Sequence, residues 1–428
     1  LPILFGEGFE GEPGGPGASD APQRTLGVFG SCVGDIDLDV LAVADVTKVG
    51  VLVSEIIEHA AGKGAKSIHL LPYKDDFFLA YRIGGRLENI ASAPLSLQSA
   101  LVEGFEDFGR LTAEEGAPSA LGRIHAHVCD KELVVTISAV DTVSGQRLVV
   151  SLDDDEGVPR DLRALGMSEA ESRTLKAMVE RGRGILLVCG PTASGRSATY
   201  YALLAHAALA GRTVYSVERT VEYEIPAVAQ VLVDPASPVG SASAFIAGMR
   251  QDTDVIAIDA LESVDDVHRA SEAASLGKLV IATFLGGDIV AGVRRMLDLG
   301  VEPVSLGAAL TFGVGQRLVR TNCSQCASEE GGSLASRIPG ADAHVVSRAG
   351  RGCDACGSTG LSGATAIFEV LPFTEPVRAA VAKGGTVSEI ERAARSAGMR
   401  PMVAAGLSKV EQGVVSAGEL NRVLRFAE

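Results

Sequence analysis

The stretch that most constrains the fold of this chain covers residues 184–197 and reads GILLVCGPTASGRS. Its five consecutive apolar residues, 185–189, are typical of a strand buried on both faces of a parallel sheet. Glycines spaced G-x-x-x-x-G, from Gly190 to Gly195, then lead into ATYYALLAHAALA, a segment of good helix formers. A strand, a glycine-rich turn and a helix in this order are the context in which a phosphate-binding loop is found.

This turn predicts a set of phosphate-binding residues. Its glycines let backbone N–H groups point at an oxyanion, and the helix N-terminus adds partial positive charge. One residue departs from the pattern, because Arg196 stands where such loops have lysine. The alternative is a glycine-rich strand-to-helix turn that binds no ligand. The candidate nucleotide-binding residues are Gly190, Pro191, Thr192, Ala193, Ser194, Gly195, Arg196 and Ser197.

Composition restricts the class of protein. The chain has 428 residues, 46% of them apolar, which is enough for two or three domains with buried cores. Its formal net charge is −16, and it has no long basic cluster, so we expect no nucleic-acid partner. No apolar run approaches the ~20 residues of a membrane span, and the N-terminus lacks a secretory signal, so a cytoplasmic protein is expected.

Two Cys-x-x-Cys pairs form a second constellation, Cys323 with Cys326 and Cys353 with Cys356. Two close thiolate pairs suit tetrahedral zinc, which a structural site holds with four protein ligands. The alternative is four thiols that hold no metal. The other three cysteines, Cys32, Cys129 and Cys189, are interpreted as small apolar residues.

The pattern along the chain predicts a small α+β domain followed by an α/β domain. In the first, helices are expected from Val46 to Gly62 or Gly64 and over 97–113, and antiparallel strands fill much of the remainder. In the second, strands alternate with helices through short connections, which argues for a parallel sheet with helices on both faces. A late helix over 386–398 is expected to be capped near Ser388 and to stop at Gly398. The predicted segments are a Gly/Pro-rich flexible tail, the α+β domain, the nucleotide-binding domain, the cysteine insert and a helical C-terminal domain, at 1–43, 44–155, 156–320, 321–366 and 367–428.

Several ordered stretches carry a resemblance to a known family. GPTASGRS, RQDTDVI, GVGQRLVRTNCSQC, CDACGSTGLSG and FEVLPFTEPVRAAVAKG are similar to segments of the ATPases that power type II secretion and type IV pilus assembly. The resemblance runs from about Val46 to the C-terminus. It implies a RecA-like P-loop NTPase domain, ATP with Mg²⁺ and structural Zn²⁺. It also implies a homo-hexamer, or a mixed hexamer with an intact paralogue, that docks on an inner-membrane platform protein and so lies at the inner membrane.

The family's working residues carry over unevenly. Ser197, the hydroxyl expected beside magnesium, is kept, and so are Glu218 in the acidic segment and Arg82, which resembles a phosphate-contacting arginine finger. Asp259 lies one position before the family's catalytic glutamate and is a candidate for holding magnesium through water. The candidate catalytic residues are therefore Glu218, Asp259 and Arg82.

Four positions lack the residue that the family uses there. Arg196 replaces the P-loop lysine, and Ala260 replaces the Walker B glutamate. Leu285 stands where the family has histidine, and Thr136 where it has a second arginine. These losses favour a subunit with weak or absent ATP hydrolysis. The alternatives left open are a working ATPase with substituted catalytic groups and a scaffold that binds no nucleotide.

Overall fold

The computed structural model describes residues 49–74, 76–83, 86–109, 111–113, 119–129, 131–154, 161–233, 240–330, 338 and 346–424. The chain divides into two compact units, Leu1–Glu156 and Gly157–Glu428. The predicted tail, 1–43, and Cys32 lie outside the described residues. None of the helices within these ranges combines the length and the apolar character that a bilayer crossing requires.

The first unit is an antiparallel sheet with two helices. Its strands lie in the order β3-β2-β1-β7-β6-β5-β4. The helix expected over 97–113 instead ends at Gly109, and Thr112–Ala113 is a short strand. The elements are α1 (Val49–Gly62), β1 (Ser67–Pro72), β2 (Asp76–Ile83), β3 (Arg86–Pro94), α2 (Leu95–Gly109), β4 (Thr112–Ala113), β5 (Ser119–Val128), β6 (Lys131–Thr142) and β7 (Gly145–Asp154).

One face of this sheet forms the core. Alternate residues of β2, namely Phe77, Leu79 and Tyr81, are buried against apolar residues of α1 and α2. The period of two puts the intervening residues, such as Arg82, on the opposite face. Cys129, at the end of β5, is disulfide-bonded, so its interpretation as a small apolar residue is wrong.

The second unit contains the glycine-rich turn. Its seven-stranded sheet has the order β10-β9-β11-β12-β8-β13-β16 and is parallel except for β16, which pairs antiparallel with β13. The predicted parallel sheet is confirmed. The sequence reading missed β10, β13 and β16. The strands are β8 (Gly184–Gly190), β9 (Val214–Glu218), β10 (Val228–Leu232), β11 (Val255–Asp259), β12 (Leu279–Leu285), β13 (Leu310–Asn322) and β16 (Leu361–Pro372).

Helices cover both faces of this sheet, as expected. Leu186 and Val188 of β8 pack in one core with the helices Glu169–Arg181 and Arg196–Leu209, whereas Ile185, Leu187 and the fully buried Cys189 belong to the other core. Each face of β8 therefore contributes to a separate core, which explains its uninterrupted apolar run. The helices up to β13 are α3 (Glu169–Arg181), α4 (Arg196–Leu209), α5 (Ser241–Met249), α6 (Val264–Ser275), α7 (Ile289–Asp298) and α8 (Pro303–Ala309).

The cysteine insert lies between the paired strands β13 and β16. Within it, β14 (Ala327–Glu329) and β15 (Arg348–Gly350) form a two-stranded sheet. Because β16 extends to Pro372, the C-terminal part begins with strand and becomes helical only afterwards. Its helices are α9 (Glu375–Ala382), α10 (Val387–Ser396), α11 (Met402–Glu411) and α12 (Ala417–Leu424).

The N-cap of α10 differs from the one predicted near Ser388. Thr386, not Ser388, is the N-cap, and its hydroxyl accepts the N–H of Glu389 while the Glu389 carboxylate accepts the N–H of Thr386. This reciprocal pair satisfies two otherwise unpaired donors of the first turn. Gly398 follows the helix with φ +91°, a conformation that favours glycine.

A buried carboxylate joins three elements of this unit. Glu369 of β16 is 6% exposed and accepts the backbone N–H of Ile289, the first residue of α7, at 2.8 Å. The backbone N–H of Met402, the first residue of α11, also donates to it. Burial raises the pKa of Glu369 from 4.5 to about 7, and the neighbouring carboxylates of Asp288 and Glu391 add to the rise.

We predict that Glu369 makes the stability of this unit pH-dependent. Its folded-state pKa lies above the unfolded value, so its contribution is complete below pH 4.5 and is lost as pH rises through about 7. The free energy of unfolding should fall by up to about 3 kcal/mol over that interval. Urea unfolding at pH 5 and pH 8 measures this fall. It should disappear in Glu369→Gln and persist in Glu411→Gln, an exposed control. An unchanged fall in Glu369→Gln would contradict the assignment.

Candidate functional site

The glycine-rich turn presents unpartnered polar groups at the end of β8. The backbone N–H groups of residues 192–195 donate to no acceptor among the described residues. The Ser194 hydroxyl, in a residue only 3% exposed, and Nη1 of Arg196 are buried and have no hydrogen-bond partner among the residues that the structure describes. Because unpaired buried donors are costly, this arrangement fits an oxyanion such as a nucleotide phosphate.

The backbone of the turn is held in the left-handed region at two positions. Gly195, the N-cap of α4, has φ +81°, and Ala193 has φ +59°. Glycine adopts this conformation without steric cost, whereas an alanine Cβ approaches the following carbonyl. Ala193 is therefore a further departure from a glycine-rich loop, and the sequence reading missed it.

Ser197 faces a carboxylate that the sequence reading also missed. Its hydroxyl donates to Oε1 of Glu222 at 3.1 Å. Glu222 belongs to the same acidic segment as Glu218, four residues later, so the signal was the second acid of SVERTVEY. A hydroxyl and a carboxylate are oxygen ligands of the kind that Mg²⁺ prefers, so this pair fits the metal.

Glu218, by contrast, is placed inside the protein. It is 1% exposed, and its carboxylate accepts hydrogen bonds from Tyr201, from the Ser216 hydroxyl at 2.5 Å and from Nε2 of Gln230 at 3.1 Å. Tyr201 in turn accepts the backbone N–H of Glu222 at 2.8 Å. Burial raises the pKa of Tyr201, as does the Glu218 carboxylate. The observed contacts therefore link Glu218, through Tyr201, to the position of Glu222.

The strand ends beside the turn carry few free charges. Asp259, the last residue of β11, accepts the Thr283 hydroxyl at 2.5 Å, and Ala260 follows with only a methyl group. Leu285 ends β12 in register with Gly190. It is 41% exposed, so an apolar side chain occupies this position at the edge of the turn.

Arg219 introduces a cation next to Glu218, but this cation is paired. Its guanidinium donates to both carboxylate oxygens of Glu262, at 2.8 and 2.5 Å. Both side chains are about half exposed, so the pair is worth no more than roughly 1 kcal/mol. Arg219 is therefore not positioned as a free substitute for the lost P-loop lysine.

In the first unit, the candidate arginine-finger positions lie on one row across the sheet. Arg82 pairs with Ser67, Ser67 with Ser151, and Ser151 with Thr136. Directly paired residues share a face, so Arg82 and Thr136 are on the same face, opposite the core. Thr136 supplies a hydroxyl there in place of a guanidinium.

The four cysteines of the insert converge on one point. All four Sγ atoms lie within 4.8 Å of one another. The separations are 3.9 Å for Cys323–Cys353, 3.8 Å for Cys326–Cys356 and 3.7 Å for Cys353–Cys356. A tetrahedron of ~2.3 Å zinc–sulfur bonds has edges of about 3.8 Å, whereas a disulfide requires ~2.05 Å. The donor set and its geometry therefore fit a closed structural zinc site.

Comparison with known proteins places these sites in context. A family model described as "Type II/IV secretion system protein" matches residues 43–422. The type II secretion system protein HxcR of Pseudomonas aeruginosa is 31% identical over 411 residues, which cover 94% of this chain and 85% of HxcR. The type IV pilus assembly ATPase PilB of Thermus thermophilus is 31% identical over 377 residues, 86% of this chain but 42% of PilB.

A solved structure supports the fold. The ATPase DotB of Legionella pneumophila superimposes with a TM-score of 0.63 over 88% of this chain and 96% of its own, at 17% identity. At this identity the similarity establishes the mixed α/β fold alone.

We predict that the left-handed alanine lowers stability. Ala193 is exposed, so Ala193→Gly removes no packing and should raise the free energy of unfolding by up to about 1 kcal/mol. Ala198→Gly, within α4, is the matched control and should lower it by about 0.5–1 kcal/mol. Urea unfolding measures both. A destabilised Ala193→Gly would contradict the strain argument.

Zinc should be present at about one ion per chain, bound by the four cysteines. Cys353→Ser should reduce the bound zinc and speed amide exchange in the insert before it affects residues 184–197, since metal-binding energy at such sites is folding energy. Ser324→Ala, an exposed residue between Cys323 and Cys326, is the control and should change neither. Elemental analysis that finds well under one zinc in carefully purified protein would exclude the site.

Proposed function

Because the chain belongs to the type II/IV secretion system protein family, we propose that it is a nucleotide-binding subunit of a type II secretion or type IV pilus machine with impaired or absent ATP hydrolysis. The observation that carries this proposal is the contrast within one site. The turn keeps unpartnered donors for a phosphate, while Ala260 and Leu285 offer no polar side chain beside it.

Binding of nucleotide should be weak because of Arg196. A lysine ammonium is a compact charge that fits beneath the β- and γ-phosphates, whereas a guanidinium is planar and larger. The backbone N–H groups of the turn, other than at Pro191, which has none, then provide most of the phosphate contacts.

Hydrolysis requires more than binding. The phosphoryl-transfer transition state needs a metal ion, positive charge near the γ-phosphate and an oriented water. Ala260 offers no carboxylate to orient water, Leu285 offers no imidazole and Thr136 offers no guanidinium. When catalytic groups act together, the effects of losing them on the rate are not additive. Restoring one group should therefore recover little activity.

The relatives support an assembly role. Proteins named for type II secretion and for type IV pilus assembly match most of this chain. We propose that the subunit forms a homo-hexamer, or a mixed hexamer with an intact paralogue, on an inner-membrane platform protein, at the cytoplasmic side. A hydrolytically weak subunit in a mixed ring retains a structural and regulatory use.

A second candidate is a working ATPase with substituted groups. The pairing of Ser197 with Glu222 favours it, because a carboxylate at this position can hold magnesium. Asp259 is then the first candidate for the missing catalytic carboxylate. A third candidate is a scaffold that binds no nucleotide. In that case, the donors of the turn bind no phosphate.

Nucleotide affinity tests the proposal. Titration calorimetry with MgATP should show weak binding, and Arg196→Lys should tighten it about tenfold, the equivalent of one charge-assisted hydrogen bond. Arg181→Lys, exposed at the end of α3, is the control. If Arg196→Lys leaves affinity unchanged or lowers it, Arg196 makes its own phosphate contact and the account of a damaged loop is wrong.

Hydrolysis is tested by phosphate release. The unmodified protein and Ala260→Glu should stay near background, while Arg196→Lys combined with Ala260→Glu gains measurable turnover, with Thr136→Arg as a further addition. Release at ~1 s⁻¹ or faster by the unmodified protein, the low end of ordinary turnover, would defeat the proposal. Asp259→Asn should then abolish the activity.

A further inference from the structure

The segment GVGQRLVR contributes a buried amide to the floor of the phosphate-binding turn. Gln316 lies on β13, next to β8, and is 1% exposed. Its Nε2 donates to the backbone carbonyl of Ser194 at 2.9 Å, and its Oε1 accepts the Thr199 hydroxyl at 2.6 Å. One side chain therefore connects the turn to the first part of α4.

The turn lies close against this strand. A Cβ at Gly190 would be 2.8 Å from the carbonyl oxygen of Gln316, and a Cβ at Gly195 would be 2.9 Å from its Nε2. These separations are too short for ordinary contacts, so glycine is required at both ends of the turn. Gln316 defines the surface against which the turn folds.

The bond to Ser194 fixes the direction of the next N–H. In a planar trans peptide, the C=O and the N–H that follows it point in opposite directions. Holding the Ser194 carbonyl toward β13 therefore directs the Gly195 N–H away from the strand. This N–H belongs to the group that has no described acceptor.

We propose that Gln316 is a positioning residue that aims the Gly195 N–H, and with it the turn, at a bound phosphate. The inference rests on the proposed nucleotide-binding function. The amide meets both requirements of the pocket at every pH, since it donates to a carbonyl at one atom and accepts a hydroxyl at the other. A carboxylate cannot donate to the Ser194 carbonyl, and leucine leaves both partners unsatisfied.

The test compares Gln316→Glu and Gln316→Leu with the unmodified protein. Calorimetry with MgADP and with inorganic pyrophosphate, from pH 5.5 to pH 8, gives each variant's affinity relative to the unmodified protein at the same pH. We expect Gln316→Leu to lose at least tenfold at every pH. Gln316→Glu should lose as much at pH 8 but recover most of it at pH 5.5, because a protonated carboxyl can donate to the Ser194 carbonyl and burial raises its pKa. Gln412→Glu, at an exposed glutamine, should show neither effect.

A loss that is equal at all pH values for both variants, or no loss in either, would overturn the proposal. If the Gln316 variants do not fold, Thr199→Val removes the hydroxyl that holds the amide, while Thr199→Ser keeps it. Only the valine variant should then lose affinity, and equal affinity in the two would also overturn the proposal.

A failure of the proposed function can be distinguished from a failure of the role of Gln316. If the unmodified protein binds neither ADP nor pyrophosphate, nucleotide binding is wrong, and amide exchange over residues 199–203, the first hydrogen-bonded amides of α4, decides the role of Gln316 alone. Faster exchange there in Gln316→Leu than in the unmodified protein supports positioning of the turn. Unchanged exchange refutes it.

Discussion

The burial of β8 on both faces is the constraint on which the candidate site depends. Its side chains alternate between two cores, and each fully buried apolar side chain is worth about 1.5–3 kcal/mol. A slip of one residue would exchange the two faces and put side chains of a different shape into each close-packed core, so packing specifies the register of the strand. The position of Gly190 is thereby fixed, and the turn must begin there. The neighbouring strands β12 and β13 are fixed by the same packing, and they bring Leu285 and Gln316 to its two sides.

Several charged side chains near the turn are paired within the protein. The Glu218 carboxylate is occupied by three internal donors, Asp259 by Thr283, and Arg219 by Glu262. Electrostatic catalysis depends on dipoles and charges that are preorganised toward the reacting group. Within the described part of the second unit, the buried polar atoms near the site that have no hydrogen-bond partner are the Ser194 hydroxyl, Nη1 of Arg196 and the Tyr200 hydroxyl. This arrangement is the basis on which we propose a subunit that binds nucleotide with weak or absent hydrolysis.

Much of the fold followed from periodicity, and less of the site did. The apolar run of β8, the alternation of strands and helices and the two cysteine pairs each have a local signal, and the structure brings each element into the expected context. The role of an individual acid has no such signal. The hydroxyl of Tyr201 and the amide of Gln230 donate to Glu218 and not to Glu222. Because these two donors lie on other elements, the local sequence does not show which of the two acids is buried. Likewise, Thr386 and Ser388 are both plausible caps, and only the turn geometry at Glu389 selects the first. β13 was not predicted from the sequence, so Gln316 could not be placed beside the turn.

The insertion point of the cysteine-bearing segment has a consequence for how such chains vary. Asn322 of β13 is paired with Leu361 of β16, and the N–H of Cys323 donates to the carbonyl of Gly360 at 2.9 Å. The chain thus leaves the sheet and returns to it at adjacent points of one hairpin. The closure entropy of such a connection grows only slowly with its length, and its ends are held by the ladder rather than by the insert. The segment enters and leaves the sheet at one opening, and it is held a second time where Ile338 packs against the C-terminal helices and the Ser347 hydroxyl accepts the N–H of Ala417. Its length can therefore change between these contacts and the four cysteines while the sheet stays the same.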